Sequence, residues 1–172
     1  MRDERQSAAL SAVVAAAFLT TLEFIVGLVT RSLGILSGAA HSGLDLGAAL
    51  TALYAVRTSP KPADEAHHYG HGKIESLAGL IETALLLGTC LWIIAEAIQR
   101  LVSQFALVEA SFAGFAMMTI SIVVDVSRAY PLYRVARKYG SQALEADALH
   151  FTSDALGSLV IIVGLVFVRL GY

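Results

Sequence analysis

GILSGAAHSGLDLGAALTALYAV, residues 34–56, is apolar enough to lie in lipid, yet it carries His41 and Asp45 near its middle. The same spacing returns in HFTSDALGSL, residues 150–159: His150, Asp154 four later, and Leu159 where the first stretch has Leu50. On a helix, residues i and i+4 stand one above the other on one face. Each stretch can therefore present an imidazole and a carboxylate to the same point. Two such helices side by side offer two nitrogens and two oxygens, a four-ligand set suited to Zn2+. The fold expected around it is all-α, a polytopic transmembrane helix bundle.

Composition agrees with a bilayer setting. Of 172 residues, 56% are hydrophobic and 15% charged, against about 45–50% and about 25% in soluble domains. Several runs reach the roughly 20 apolar residues that cross the hydrocarbon core as a helix. A net charge of −2 gives no electrostatic reason for a nucleic-acid partner, and a single cysteine, Cys90, excludes an intramolecular disulfide.

Five spans are expected, at about 8–29, 34–56, 74–101, 111–128 and 142–170. The run after the short charged start is too long for a signal-peptide core and reads as a retained helix. Pro60 and Pro62 stop the second span and open a polar linker, residues 58–72. Pro131 is expected to kink or break the fourth, leaving a basic tail over 133–139. Glu96–Arg100 and Asp125–Arg128 read as local ion pairs. Alternating spans put nine basic residues on one side and three on the other, so the N-terminus and the linker are expected in the cytoplasm. At about 1.5 Å per residue, Asp45 and Asp154 both lie about 17–18 Å from the cytoplasmic ends of their spans, so the carboxylates come out level.

An Asp at a helix centre costs roughly 2.5–3.5 kcal/mol on insertion scales, and such residues mark ion or proton paths. Two of them, each with a His at −4, are hard to explain as packing. Small residues share their faces: Gly34, Ser37, Gly38, Ala48 and Ala52 around His41 and Asp45, and Ala143, Ala146, Gly157 and Gly164 around His150 and Asp154. These suit either close helix packing or a passage for water and an ion. Two imidazoles and two carboxylates without thiolate fit Zn2+ best, and Co2+, Fe2+ and Ni2+ are compatible by ligand type. His must be neutral and Asp ionised to bind metal, so metal and protons compete. Glu23, Glu82 and Asp125 are also acidic and within or near spans, and the sequence assigns them no role.

The linker carries a second cluster, Asp64, His67 and His71, whose spacing suits a cytoplasm-facing zinc site, with Gly70 and Gly72 allowing the turn. A solvated polar loop explains the same spacing.

The HxxxD of the second span, the loop HHYGHGKIE (67–75) and ADALHFTSD (146–154) together resemble the cation diffusion facilitators. The resemblance implies homodimeric zinc/proton antiporters exporting Zn2+ from the cytoplasm, multi-pass in the cell membrane, the bacterial inner membrane included. It implies that His41, Asp45, His150 and Asp154 form the transport site. It also implies that Asp64, His67 and His71 are the loop ligands, and that Lys73 joins a charge interlock near the dimer contact. His at position 41 is similar to zinc-selective members, relatives with Asp there tolerating cadmium better. Members usually have six spans and a soluble cytoplasmic C-terminal domain, whereas this sequence stops after the fifth span, so a fragment of a longer product is expected. Two rival readings are a metal binder that does not transport, and a membrane electron-transfer subunit with His41 and His150 as haem ligands. The second leaves both aspartates unexplained. No nucleophile motif points to an enzyme.

Overall fold

The computed structural model describes residues 4–65, 67–103 and 111–170, with the side chains at 96, 97 and 100–103 set aside. The Glu96–Arg100 pair and most of the 102–110 connection lie outside the described residues. Five helices follow in order: α1 (Glu4–Thr30), α2 (Leu33–Thr58), α3 (Lys73–Ser103), α4 (Phe112–Tyr139) and α5 (Gln142–Arg169). The molecule is an all-α bundle, as expected. Stretches of α1, α3, α4 and α5 are long and apolar enough to cross a membrane. At 26 residues α2 is long enough but less apolar. Its deficit is the site itself, because His41, Ser42 and Asp45 replace three apolar side chains at its middle.

α1 and α2 form one hairpin, α4 and α5 another, and α3 packs against α2 and α5. The first turn is tight. Arg31 sits at φ 52°, Ser32 accepts from the Ile35 amide at 3.4 Å, and the Ser32 amide returns to the Gly27 carbonyl at 3.1 Å. A Cβ on Gly27 would stand 2.9 Å from Leu36, so only glycine lets the hairpin close this tightly. α4 ends at Gly140, φ 64°, whose amide and that of Ser141 both return to the Ala136 carbonyl. Glycine favours this left-handed helix stop.

Pro131 does not end α4, contrary to the sequence expectation; the helix runs through it to Tyr139. An interior proline removes one amide and crowds the carbonyl four residues back. Burial just beyond it offsets that cost. Leu132, Val135 and Ala136 enter a core formed with Ala9, Ala12, Leu53, Val56, Leu144 and Phe151. The basic stretch is thereby the last turns of a helix, and Lys138 and Tyr139 meet Glu4 of α1 there. The Asp125–Arg128 pair is not formed either: Asp125 turns into the bundle, and the Arg128 Nε donates to Ser127 Oγ.

Glu75 joins four helices at this end. It is 9% exposed and accepts from Ser59 Oγ after α2 at 2.6 Å, from Ser141 Oγ before α5, and from Arg5 of α1 at 3.4 Å. Below it, Ala52, Ala55, Ala78 and Ala143 pack α2, α3 and α5 together. The bundle is thus held closely at one end while the His/Asp level stays open to a cavity.

Candidate metal centre

His41 and Asp45 come from successive turns of α2, and His150 and Asp154 from successive turns of α5. The four side chains converge. The His150 Nε2 lies 2.8 Å from Asp45 Oδ1 across the helix pair and 3.4 Å from Asp154 Oδ2 on its own helix. The His41 Nε2 lies 3.8 Å from Asp154 Oδ1 and 3.9 Å from Asp45 Oδ2. Donors about 2.0–2.2 Å from a tetrahedral ion stand roughly 3.3–3.5 Å apart. The separations among Asp45, His150 and Asp154 are close to that range, whereas His41 stands farther out at 3.8–3.9 Å from the two carboxylates. The tightest grouping is Asp45, His150 and Asp154, whose ligand atoms lie within 4.8 Å of one another. His41 is the most open of the four, its side chain 30% exposed against 6% for His150.

His41, Asp45 and Asp154 line a cavity of ≈ 390 Å³, with His150 buried behind them. Gly38 and Gly157 line it one turn from His41 and Asp154, respectively. The small residues therefore divide by depth. Gly38 and Gly157 line the space, while Ala48, Ala52 and Ala143 are buried in helix contacts. Gly43 and Gly47, on the other side of α2, meet no neighbour within 4 Å in this chain.

Two acids left without a role by the sequence line the same cavity. Glu23 of α1 and Asp125 of α4 are each 4% exposed. Glu23 Oε2 accepts from Ser42 Oγ at 2.6 Å. Their signal was present but indirect. Glu23 continues the stripe Ala9, Ala12, Ala16, Leu19 that α1 buries, and Asp125 continues Met117 and Ser121 on α4. Glu82 of α3 points elsewhere. It is 1% exposed, interacts electrostatically with Asp147 of α5, and neither of its carboxylate oxygens has a hydrogen-bond partner among the described residues. Asp147 Oδ2 and His150 Nδ1 are buried and unpartnered in the same way.

The loop cluster also comes together. Asp64 Oδ1 accepts from the His67 amide at 2.7 Å and meets His67 Nδ1 at 3.1 Å. Asp64 Oδ2 lies 3.4 Å from His71 Nε2, and the two imidazole centroids are 4.4 Å apart. The turn that gathers them uses Gly70 at φ 77°. Asp64 and His67 are exposed and His71 is buried, so an ion could arrive from the water side. Lys73 opens α3 and is exposed.

A family model described as the cation efflux transmembrane domain matches residues 9–172. The chain belongs to the cation efflux family. It is therefore a multi-pass membrane protein of a transporter family and not an enzyme. Among its relatives, the cation-efflux pump FieF of Klebsiella pneumoniae subsp. pneumoniae is 36% identical over 160 residues, 92% of this chain and 53% of that protein. FieF of Yersinia enterocolitica is 35% identical over 171 residues, covering 97% and 55%. FieF of Escherichia coli O1:K1 / APEC is 34% identical over 160 residues. The chain spans about half the length of the curated relatives it matches. Membership in the cation efflux family gives the haem reading no support.

Proposed function

We propose that this chain carries Zn2+ out of the cytoplasm in exchange for protons, with His41, Asp45, His150 and Asp154 as the transport site. The observation behind this reading is that Asp45, His150 and Asp154 group closely between α2 and α5, with His41 within 4 Å of both carboxylates, beside a partly open cavity. All five helices cross the bilayer, α2 shielded by its neighbours at the polar level, and the N-terminus lies in the cytoplasm. Two ionised Asp and two neutral His bring two negative charges, which one divalent ion neutralises. The short His150–Asp45 contact is a hydrogen bond that metal must replace. When His150 carries a proton the pair is self-satisfied; when it loses one, Nε2 and Oδ1 are free to take an ion. Metal and proton are thus alternative occupants, and a site opening alternately to the two sides exchanges them. Co2+, Fe2+ and Ni2+ fit the same donors.

Asp64, His67 and His71 form a second, cytoplasm-facing zinc site that captures ions. The functional unit is a homodimer, with Lys73 in a charge contact near its interface. The test is zinc flux into vesicles that contain the purified chain and have an acidic lumen. Uptake driven by the gradient, and lost in Asp154→Ala, is expected. Flux indifferent to the gradient overturns the exchange. Zinc binding by the quartet without any flux would instead establish a metal-binding chain without transport.

A further inference from the structure

We propose that the cavity beside the quartet holds a second cation position made of oxygen donors alone: the carboxylates of Glu23 and Asp125 with the hydroxyls of Ser42 and Ser121. The ligand class is a partly hydrated divalent cation. The proposal rests on the quartet being the metal-transport site.

Three observations carry it. Asp125 is 4% exposed and lines the cavity, and no hydrogen bond or ion pair reaches it among the described residues. A carboxylate this deep in a membrane bundle, with no donor from the chain, calls for a cationic occupant. Second, Glu23 is equally buried on the facing helix, with Ser42 Oγ at 2.6 Å and Ser121 also interacting with its carboxylate. Asp125 lies within charge–charge range of Glu23, Asp45 and Asp154. Four helices thus direct four carboxylates at one space, although the quartet's own two already balance one divalent ion. Third, the cavity measures ≈ 390 Å³. Liquid water occupies about 30 Å³ per molecule, so an ion here keeps much of its hydration shell.

Oxygen-only donors select harder ions and hold Zn2+ less tightly than a set with two imidazoles. The second position is therefore a step down in affinity next to the quartet. An ion leaving the imidazoles passes to water-bridged carboxylates before reaching bulk solvent. Weak, adjacent positions are what permits release from a tight site.

The experiment uses the whole chain in lipid nanodiscs with the loop ligands removed by Asp64→Ala, His67→Ala and His71→Ala. Zn2+ at one equivalent fills the quartet, and Mn2+ is then titrated while its bound state is read by electron paramagnetic resonance. Mn2+ does not displace Zn2+ from imidazole donors. One bound Mn2+ per chain is expected, and Glu23→Gln with Asp125→Asn should weaken it about tenfold or more. The single Zn2+ equivalent stays. No bound Mn2+ in the parent, or the same affinity in the double variant, overturns the proposal. Should the double variant fail to remain monodisperse, Asp125→Asn alone removes a charge without volume and should still weaken Mn2+ several-fold; no weakening overturns the proposal. The quartet is judged separately: a Zn2+ equivalent that survives Asp45→Ala with Asp154→Ala defeats the transport-site reading, whatever the Mn2+ result.

Discussion

The chemistry of this chain turns on single atoms. The His150 Nε2 faces two carboxylates at 2.8 and 3.4 Å, so in the proposed site a proton and a metal ion compete for that nitrogen. Zinc affinity is expected to fall as pH drops from about 7.5 to about 5.5, because a proton and a metal ion compete for the same imidazole nitrogen. A zinc titration across that range checks the sign; affinity rising on acidification would contradict the ligand assignment. Asp45→Asn keeps the size and removes the charge. It should lower zinc affinity by about 100-fold or more, beyond the loss that outer-shell changes give, and equilibrium dialysis measures it. The proposed loop site is expected to behave independently. His71→Ala should remove one weakly held zinc equivalent and leave the intramembrane equivalent in place.

Elements are held in register at one end by Glu75, whose carboxylate takes donors from residues 5, 59 and 141. Glu75→Ala leaves the buried Ser141 hydroxyl without its acceptor, at about 1–3 kcal/mol for such a group. The expected result is a lower thermal midpoint in detergent, while Glu75→Gln, which can still accept, loses less. Gly79 is a second contact of this kind. A Cβ there would meet the Gln142 carbonyl at 3.2 Å, and that atom is backbone. Gly79→Leu should push α3 from the start of α5, costing about 1–3 kcal/mol as overpacking does. The same assay reads it.

For the whole molecule, binding and stability are linked. An ion gripped by two helices from different hairpins stabilises only the assembled bundle. At a free concentration about 100 times the dissociation constant, zinc should add roughly 2.7 kcal/mol. A rise in the unfolding midpoint with zinc, absent in Asp45→Ala with Asp154→Ala, is the expected outcome. The outer faces are apolar: Leu80, Leu87, Leu91 and Trp92 on α3 and Val160 and Phe167 on α5 are exposed. Lipid covers such faces without a soluble domain's polar coat, so the polar groups gather inside, the reverse of a water-soluble protein.

Parts of this architecture obey local rules and are legible along the chain. Apolar runs announce the helices, because backbone groups in lipid must bond within their own segment; α1, α3, α4 and α5 are apolar enough to cross a membrane, and α2 is less so. A His and an Asp four apart share a helix face by the geometry of the turn, so the quartet and the loop triad could be named before any coordinates. Tertiary structure decided what depends on neighbours. Pro131 lies within a helix because Leu132, Val135 and Ala136 gain a core contact that no window of sequence displays. Asp125 turns inward, away from Arg128, because α4 presents that face to α1 and the cavity. Glu23 joins it because the α1–α2 hairpin sets Ser42 against its carboxylate. Spacing along one helix tells which side chains share a face; only the packing of several helices tells what that face meets.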